Sequence, residues 1–419
     1  MNKFVLLAFA ILFSFWLPLS AEEKPTMLTL KEAIDHAMKN NHEAKEAIAS
    51  LPVTKASLII AKYFPNPIIG ANSEIVKGGS LHPLEIGQTI ELGKKRHYRI
   101  QIAKEQISKA ELEVRKTLWE IHTQVHIVYA SISTGHDLFN LAKDRLEFYK
   151  SLVDIAQKRY EAGDVAKIEL DRANMELLGA ENSLDTFDGN LKKATIDFNH
   201  ILGNESDIEV SVQDALEFKP LLMIQEYEPL KNVLEEALNK RLEVAILERD
   251  FGITRAQLKK AQWEKLPNIH IIGGPTKPSI GDNIWGPFIG TSLELPIFNR
   301  KQGEIAQAKA NLDFLEKQKD RIEHDIRIEV ANALKDLEVR ERQVYRFQEN
   351  LLDQSEDILE LIKEAYQKGK LTLTDVLNAE QKNRDLKEEY LNSLYDYQFA
   401  LASLEYAVGV PLYGLTEKQ

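Results

Sequence analysis

The sequence contains no cysteine. That excludes disulfides, thiolate metal sites, a cysteine nucleophile and a cysteine-linked lipid anchor. Aromatic residues are few, at 8%, and positive charge is outweighed, with a net charge of −12. A basic footprint for nucleic acid is therefore missing. Beyond the N-terminal segment, no apolar run reaches the ~18 residues of a membrane-spanning helix. P-loop, nucleophile-elbow and Rossmann glycine patterns are all absent, so nothing marks an enzyme or a resident cofactor. Glycine and proline are also missing from long stretches, the longest being the 65 residues from Glu304 to Lys368.

That stretch carries an apolar stripe. Ile305, Ala308, Leu312, Leu315, Ile322, Ile326 and Val330 step by three, four or seven, and Phe347, Leu351, Ile358, Leu361 and Ala365 continue it. The spacing predicts a helix packed along a heptad-like seam. Such a helix would be about 97 Å long at 1.5 Å per residue. A compact domain of this chain length is only about 45–50 Å across, so an elongated assembly is expected.

At the N-terminus, basic Lys3 precedes the apolar run Phe4 to Leu19, and Leu19-Ser20-Ala21 offers small residues at a cleavage position. Residues 1–21 therefore read as a signal peptide cut after Ala21, and the chain as an exported one.

The rest reads as one plan used twice. A helix over Leu28–Tyr63, interrupted at Pro52, leads to strands at about 67–76 and 84–92, with a turn at Lys77–Ser80. A long helix from Lys94 to Ala162 ends at Gly163, and another runs from Ile168 to Leu202. The second copy has a helix over Leu230–Lys265 interrupted at Gly252, then strands at about 268–274 and 285–295. The glycine-free helix follows, then a turn at Gly369 and a helix from Thr374 to Val408. At an offset of 200, Ala37 meets Ala237 and Glu43 meets Glu243; at 206, Tyr160 meets Tyr366, Gly163 meets Gly369 and Gly203 meets Gly409. This gives a first repeat at 22–203, a linker at 204–229, a second repeat at 230–409 and a tail at 410–419. The fold class is mainly α with a small β part.

Four strands leave open edges. A barrel shared among several chains removes them, and a β-barrel is the spanning structure left to an exported chain without an apolar helix. Leu84–Leu92 and Phe288–Leu295 alternate apolar and polar residues as a barrel wall does. Trp285 and Phe288 suit an aromatic girdle, and Lys95 and Arg96 a membrane interface. The competing reading is a periplasmic coiled-coil scaffold bearing an exposed hairpin.

The duplicated plan resembles the TolC-type outer-membrane efflux factors over nearly the whole chain. Ile86-Gly87-Gln88-Thr89-Ile90-Glu91-Leu92-Gly93-Lys94-Lys95-Arg96 is similar to the strand-to-helix signature of their heavy-metal, CzcC/CusC-like branch, which reads Q-P-I-E-L-G-G-K-R. Thr89 and Lys94 depart from it, and the lipidated N-terminal cysteine of many relatives is missing. The resemblance implies a homotrimer whose 12-stranded barrel in outer-membrane lipid sits on a long periplasmic α-helical barrel. It implies a passive exit duct for heavy-metal cations, opened by a periplasmic adaptor (a membrane fusion protein) and driven by an inner-membrane pump of the RND type. Drug efflux and type I protein secretion are the alternative duties of such a duct. Gly163, Val165, Gly369, Leu371 and Thr372 would form adaptor-docking tips. Asp375 and Asn378 would ring the periplasmic aperture, with Glu169 and Arg172 as their first-repeat counterparts.

Two residue sets admit a plainer reading. Asp375 also suits a helix cap. His122 and His126 share a helix face at i, i+4 spacing, as paired metal ligands do, yet packing alone would place them there equally well.

Overall fold

The computed structural model describes residues 26–411 apart from 77–78, 207, 209, 214–215, 217, 222–229, 279–283 and 349–350. The expected signal peptide, the first half of the expected 77–80 turn and most of the C-terminal tail lie outside the described residues. The first repeat runs β1 (Thr26–Leu28), α1 (Leu30–Asn40), α2 (His42–Lys62), β2 (Ile68–Ala71), β3 (Glu74–Val76), β4 (Gly79–Ile90), α3 (Lys95–Glu161) and α4 (Lys167–Leu202). The expected linker holds β5 (Val210–Val212), which pairs in parallel with β1. The second repeat runs α5 (Leu230–Lys240), α6 (Leu242–Trp263), β6 (Ile269–Pro278), β7 (Gly286–Leu293), α7 (Gln302–Gln348), α8 (Leu351–Gln367) and α9 (Leu373–Val408). The stretch expected as one 65-residue helix is thus described as α7 and α8, with 349–350 between them outside the described residues.

The helix interruptions fall elsewhere than at Pro52 and Gly252. α2 runs through Pro52 and α6 through Gly252. The breaks are at Asn41 and Arg241, one extended residue each, still 200 apart. Side-chain chemistry decides the position. Asn41 Oδ1 accepts from the Glu43 and Ala44 amides, capping α2, while its amide donates to the Ile201 carbonyl at 2.8 Å. Arg241 is 7% exposed; its guanidinium donates to the Tyr406 and Ala407 carbonyls at the end of α9 and pairs with Glu243 and Glu329 at 2.9 Å. Each break is therefore fastened to the last turn of its own repeat's final helix.

The two repeats build matching cores. Ala37, Ile121, Val125, Phe198 and Leu202 pack together in the first, and Ala237, Ile326, Val330, Leu404 and Val408 in the second. Ala37 and Ala237 are equivalent, as are Phe198 and Leu404, and all four are fully buried. A third cluster joins the repeats at the far end of the helices. There Tyr149, Leu152 and Leu170 meet Tyr366, Leu373 and Val376. α3, at 67 residues, spans about 100 Å and touches both the joint with α2 and this tip.

The other five strands form one antiparallel sheet in the order β2-β4-β6-β7, with β3 continuing the β2 edge. The edge strand is split at Asn72–Ser73. Asn72 donates to the Pro83 carbonyl at 3.2 Å, but Pro83 has no N–H to return. Among the described residues β2 and β7 have one strand neighbour each. The register places Ile69, Ile86 and Ile289 on one face and Glu85, Thr89, His270 and Ser292 on the other. Ile69, Ile86 and Ile289 are 73%, 59% and 81% exposed.

Candidate functional site: sheet faces and helix tips

The strand-to-helix signature builds a joint. Glu91 forms a two-pronged ion pair with Arg99, whose guanidinium also donates to the Ala61 and Tyr63 carbonyls at the end of α2. Lys95, expected at a membrane interface, is 7% exposed. Its ammonium donates to the Leu266 carbonyl at 2.6 Å and to Asn268 Oδ1 at 2.5 Å, tying α3 to the start of β6. Burial pushes its pKa down, against the charges of Glu264 and Glu91. Arg96 donates to the Lys62 carbonyl and lies 4.3 Å from the Phe64 ring centroid. The signature thus locks four chain segments where sheet gives way to helix.

Phe288 pairs with Gly274 and falls on the face of Gly290 and Ser292, opposite Ile289, because a strand alternates its faces residue by residue. Trp285, just before β7, is 56% exposed, and the Lys277 amine lies 5.9 Å from its ring.

At the other end, α3 and α8 stop alike. Gly163 and Gly369 have φ of 81° and 72°. The Asp164 and Lys370 amides return to the Arg159 and Ala365 carbonyls, closing the same glycine-ended turn twice. Val165 and Leu371 are half-buried beside them, and Thr372 is exposed. Arg159 lies 4.6 Å over the Tyr366 ring and donates to its carbonyl, joining the two turns. The repeats differ here: Tyr366 is fully buried, whereas its counterpart Tyr160 is 40% exposed.

Asp375 and Glu169 sit in the first turns of α9 and α4. Asp375 closes a capping box, accepting from the Thr372 amide at 2.9 Å and the Thr372 hydroxyl at 2.7 Å. Those two bonds hold its carboxyl below the usual carboxylate range. Glu169 accepts from the Tyr366 hydroxyl at 3.5 Å, and Arg172 from the same turn donates to Thr374 Oγ1 at 3.4 Å. Asn378 is exposed one turn beyond Asp375. The helix cap is thus present, and it leaves the carboxylate at the tip.

Thr372→Ala is expected to remove the cap and cost about 1 kcal/mol. Faster amide exchange at Leu373 to Val376, with the rest of α9 unchanged, is the measurement. A carboxyl depressed in the folded state adds stability above its unfolded value of 3.8 and loses it as pH falls through the folded one. Asp375→Asn should therefore differ from wild type at neutral pH and converge with it in acid.

The residues matching a known family are 82–204 and 234–410, most of both repeats. The chain belongs to the outer membrane efflux protein family. The efflux-family chain is 22% identical to the cobalt-zinc-cadmium resistance protein CzcC of Cupriavidus metallidurans, over 94% of its own length and 92% of CzcC. It is 21% identical to the probable outer membrane lipoprotein SilC of Salmonella typhimurium, over 90% and 84%. Its fold matches the CusC crystal structure with a TM-score of 0.74 at 16% identity, covering 92% of this chain and 94% of that one. Family and fold are those of channel proteins.

The histidine pair lies between α3 and α9 of this efflux-family chain. His126 is 2% exposed, with Nδ1 3.4 Å from Glu405 and Nε2 3.2 Å from Gln398. His122 stacks on Trp119 at 4.8 Å, and burial pushes its pKa down. Among the described residues, no group of three or more His, Cys, Asp or Glu is arranged to hold a metal ion. Glu405, 1% exposed, is marked in the sequence only by being the lone carboxylate within the mostly apolar run Phe399–Val410.

Proposed function

We propose that this chain is the outer-membrane exit duct of a tripartite efflux system that exports heavy-metal cations. The observation that carries the duct is the sheet. It has one face with exposed Ile69, Ile86 and Ile289, an opposite face where Glu85, Thr89, His270 and Ser292 stand among Ile68, Ile272 and Phe288, and an unpaired edge at both β2 and β7 among the described strands. Three copies joined edge to edge make a closed wall of twelve strands, taking β2 with β3 as one. The isoleucine face then meets lipid, and Glu85, Thr89, His270 and Ser292 line the passage. β4, β6 and β7, at 12, 10 and 8 residues, have lengths near the ~9–11 of a spanning strand.

The helices continue the passage through the periplasm. A periplasmic adaptor docks on the Gly163 and Gly369 turns, with Val165, Leu371 and Thr372 beside them, and an RND-type inner-membrane pump supplies the energy. Three Asp375 and three Glu169 carboxylates around the opening favour cations, with Asn378 behind them. The heavy-metal assignment is supported by the relative CzcC, a cobalt-zinc-cadmium resistance protein, and by the likeness of the segment ending at Arg96 to the strand-to-helix signature of the CzcC/CusC-like branch.

Two measurements test the reading. The purified protein should be a trimer that conducts in planar bilayers; a monomer without conductance would remove the duct. A deletion strain should lose tolerance to copper, silver, zinc, cobalt or cadmium and regain it with the wild-type gene. Sensitivity to drugs and detergents alone would leave the duct and remove the metal.

A further inference from the structure

Where the two repeats meet, one cavity gathers hydrogen-bond donors that the described chain leaves unused. It lies at the α5–α6 break, against α3 and the end of α9, and has a volume of about 500 Å³. That volume is in the range of small-molecule sites. Arg115, Lys116, Lys240 and Arg241 line it, with Glu243 as the one carboxylate among the described residues. Four cations to one anion stand out in a chain whose net charge is −12.

The carboxylate is already committed. Glu243 pairs with Arg241 at 2.9 Å and with Lys116 at 3.6 Å. Arg115 and Lys240 are exposed and make no ion pair or hydrogen bond among the described residues. Trp119, also in the lining, has its Nε1 buried without an acceptor, and its ring is held by stacking on His122. An indole nitrogen can only donate, and a buried donor left unpaired is costly. Burial and the charge of Glu243 push the Tyr406 phenol up to about 12, so its hydroxyl keeps its proton. α6 begins in the same wall, and Arg241 gives it no side-chain cap. Its first-turn amides add to the positive field.

Every uncommitted polar side chain in the lining can therefore donate, and two of them carry positive charge. The partner they lack is an anion. Met38, Leu118, Leu242 and Val410 supply an apolar wall beside them. We propose that this pocket binds a small organic anion, with a carboxylate or phosphate head among Arg115, Lys240 and Trp119 and an apolar body against that wall. The ligand would touch α1, α3, the α5–α6 break and α9 together, so its binding stabilises the junction of the two repeats.

Naphthalene-2-carboxylate is a suitable probe, with neutral naphthalene-2-carboxamide and inorganic phosphate standing for its two halves. Calorimetric titration of the full chain in dodecyl maltoside should show one carboxylate site per chain. The carboxylate should bind about tenfold tighter than either half, and more weakly as salt rises. Arg115→Gln and Lys240→Gln should each weaken it about tenfold. Trp119→Phe keeps the ring, removes the N–H and should weaken it about fivefold. Lys317→Gln, on the exposed surface of α7, should leave it unchanged. The thermal midpoint should rise with carboxylate in wild type and stay fixed in the Arg115→Gln, Lys240→Gln double variant. Those two exposed positions carry the test if Trp119→Phe does not fold.

Carboxylate and carboxamide bound alike would overturn the site, as would a carboxylate affinity indifferent to Arg115→Gln and Lys240→Gln. Phosphate bound as tightly as the carboxylate would also overturn it, because the apolar wall would then take no part. Binding seen only after removal of residues 412–419 would assign the pocket to the chain's own tail instead. Trimer formation and conductance are read separately, so each of these results leaves the duct reading untouched.

Discussion

Replacing Arg241 with alanine is expected to destabilise the protein by about 3 kcal/mol, the low end of the cost of breaking a buried charge cluster. The guanidinium sits where α5 breaks into α6 and serves two tasks at once. It pairs with Glu243 and Glu329, and it donates to the Tyr406 and Ala407 carbonyls, which α9 leaves without helical partners at its end. Alanine strands both. The low end applies because Glu329 is 41% exposed and water reclaims it. Denaturant unfolding followed by helix signal reads the loss, and amide exchange should quicken first in α5 and the last turn of α9. Arg241→Lys keeps the charge without the planar fork and should fall between the two. The pH dependence has a defined direction. Burial raises the Glu243 carboxyl, but Arg241 and Lys116 outweigh it and hold the carboxyl below 4.5. That contribution is present above pH 4.5 and lost as pH falls through the depressed value. The gap between wild type and Arg241→Ala should therefore narrow in acid to the part that the Tyr406 and Ala407 carbonyl bonds supply. A constant gap down to pH 3 would sink the assignment.

Gly203→Ala should cost about 2–4 kcal/mol, combining left-handed backbone strain with overpacking. Gly203 ends α4 at φ 76°, and a methyl group there would lie 2.3 Å from the Asn40 carbonyl oxygen, at the α1–α2 break. The obstacle is backbone, so no side chain can swing aside. Gly163→Ala is the control. Its φ is 81°, but a methyl group would meet nothing within 4 Å, leaving only about 1 kcal/mol of strain. Thermal unfolding of the two variants side by side separates conformation from contact. Equal losses would show that the Gly203–Asn40 approach does not hold the first repeat together.

Arg241 and the Gly203–Asn40 approach both sit at helix breaks about ten residues before the strongest local breaker. Pro52 and Gly252 are the strongest breakers in their stretches, and local propensity puts the helix break there. The chain breaks instead at Asn41 and Arg241, because those side chains fasten to the final helix of their own repeat. That fastening joins residues about 165 apart and leaves no local trace. Lys95 is a further case: its amine meets a carbonyl that only the α6–β6 joint supplies, 171 residues away.

Periodicity and internal repetition determined most of the rest. The apolar stripe in 304–368, the matched turns at Gly163 and Gly369 and the alternating strands fixed the mainly helical class, the duplication and the elongated shape. They could do so because each depends on near neighbours in sequence, which the chain carries explicitly. The strand-to-helix signature pointed to the efflux family for the same reason. Tertiary structure decided which face Phe288 shares, that Asp375 closes a capping box with Thr372, that His126 lies against Glu405 and Gln398, and that Trp119 and Lys240 line one pocket. Each of those depends on register or on contacts between segments far apart in sequence, and a one-residue change of register reverses the faces of a strand without altering its composition.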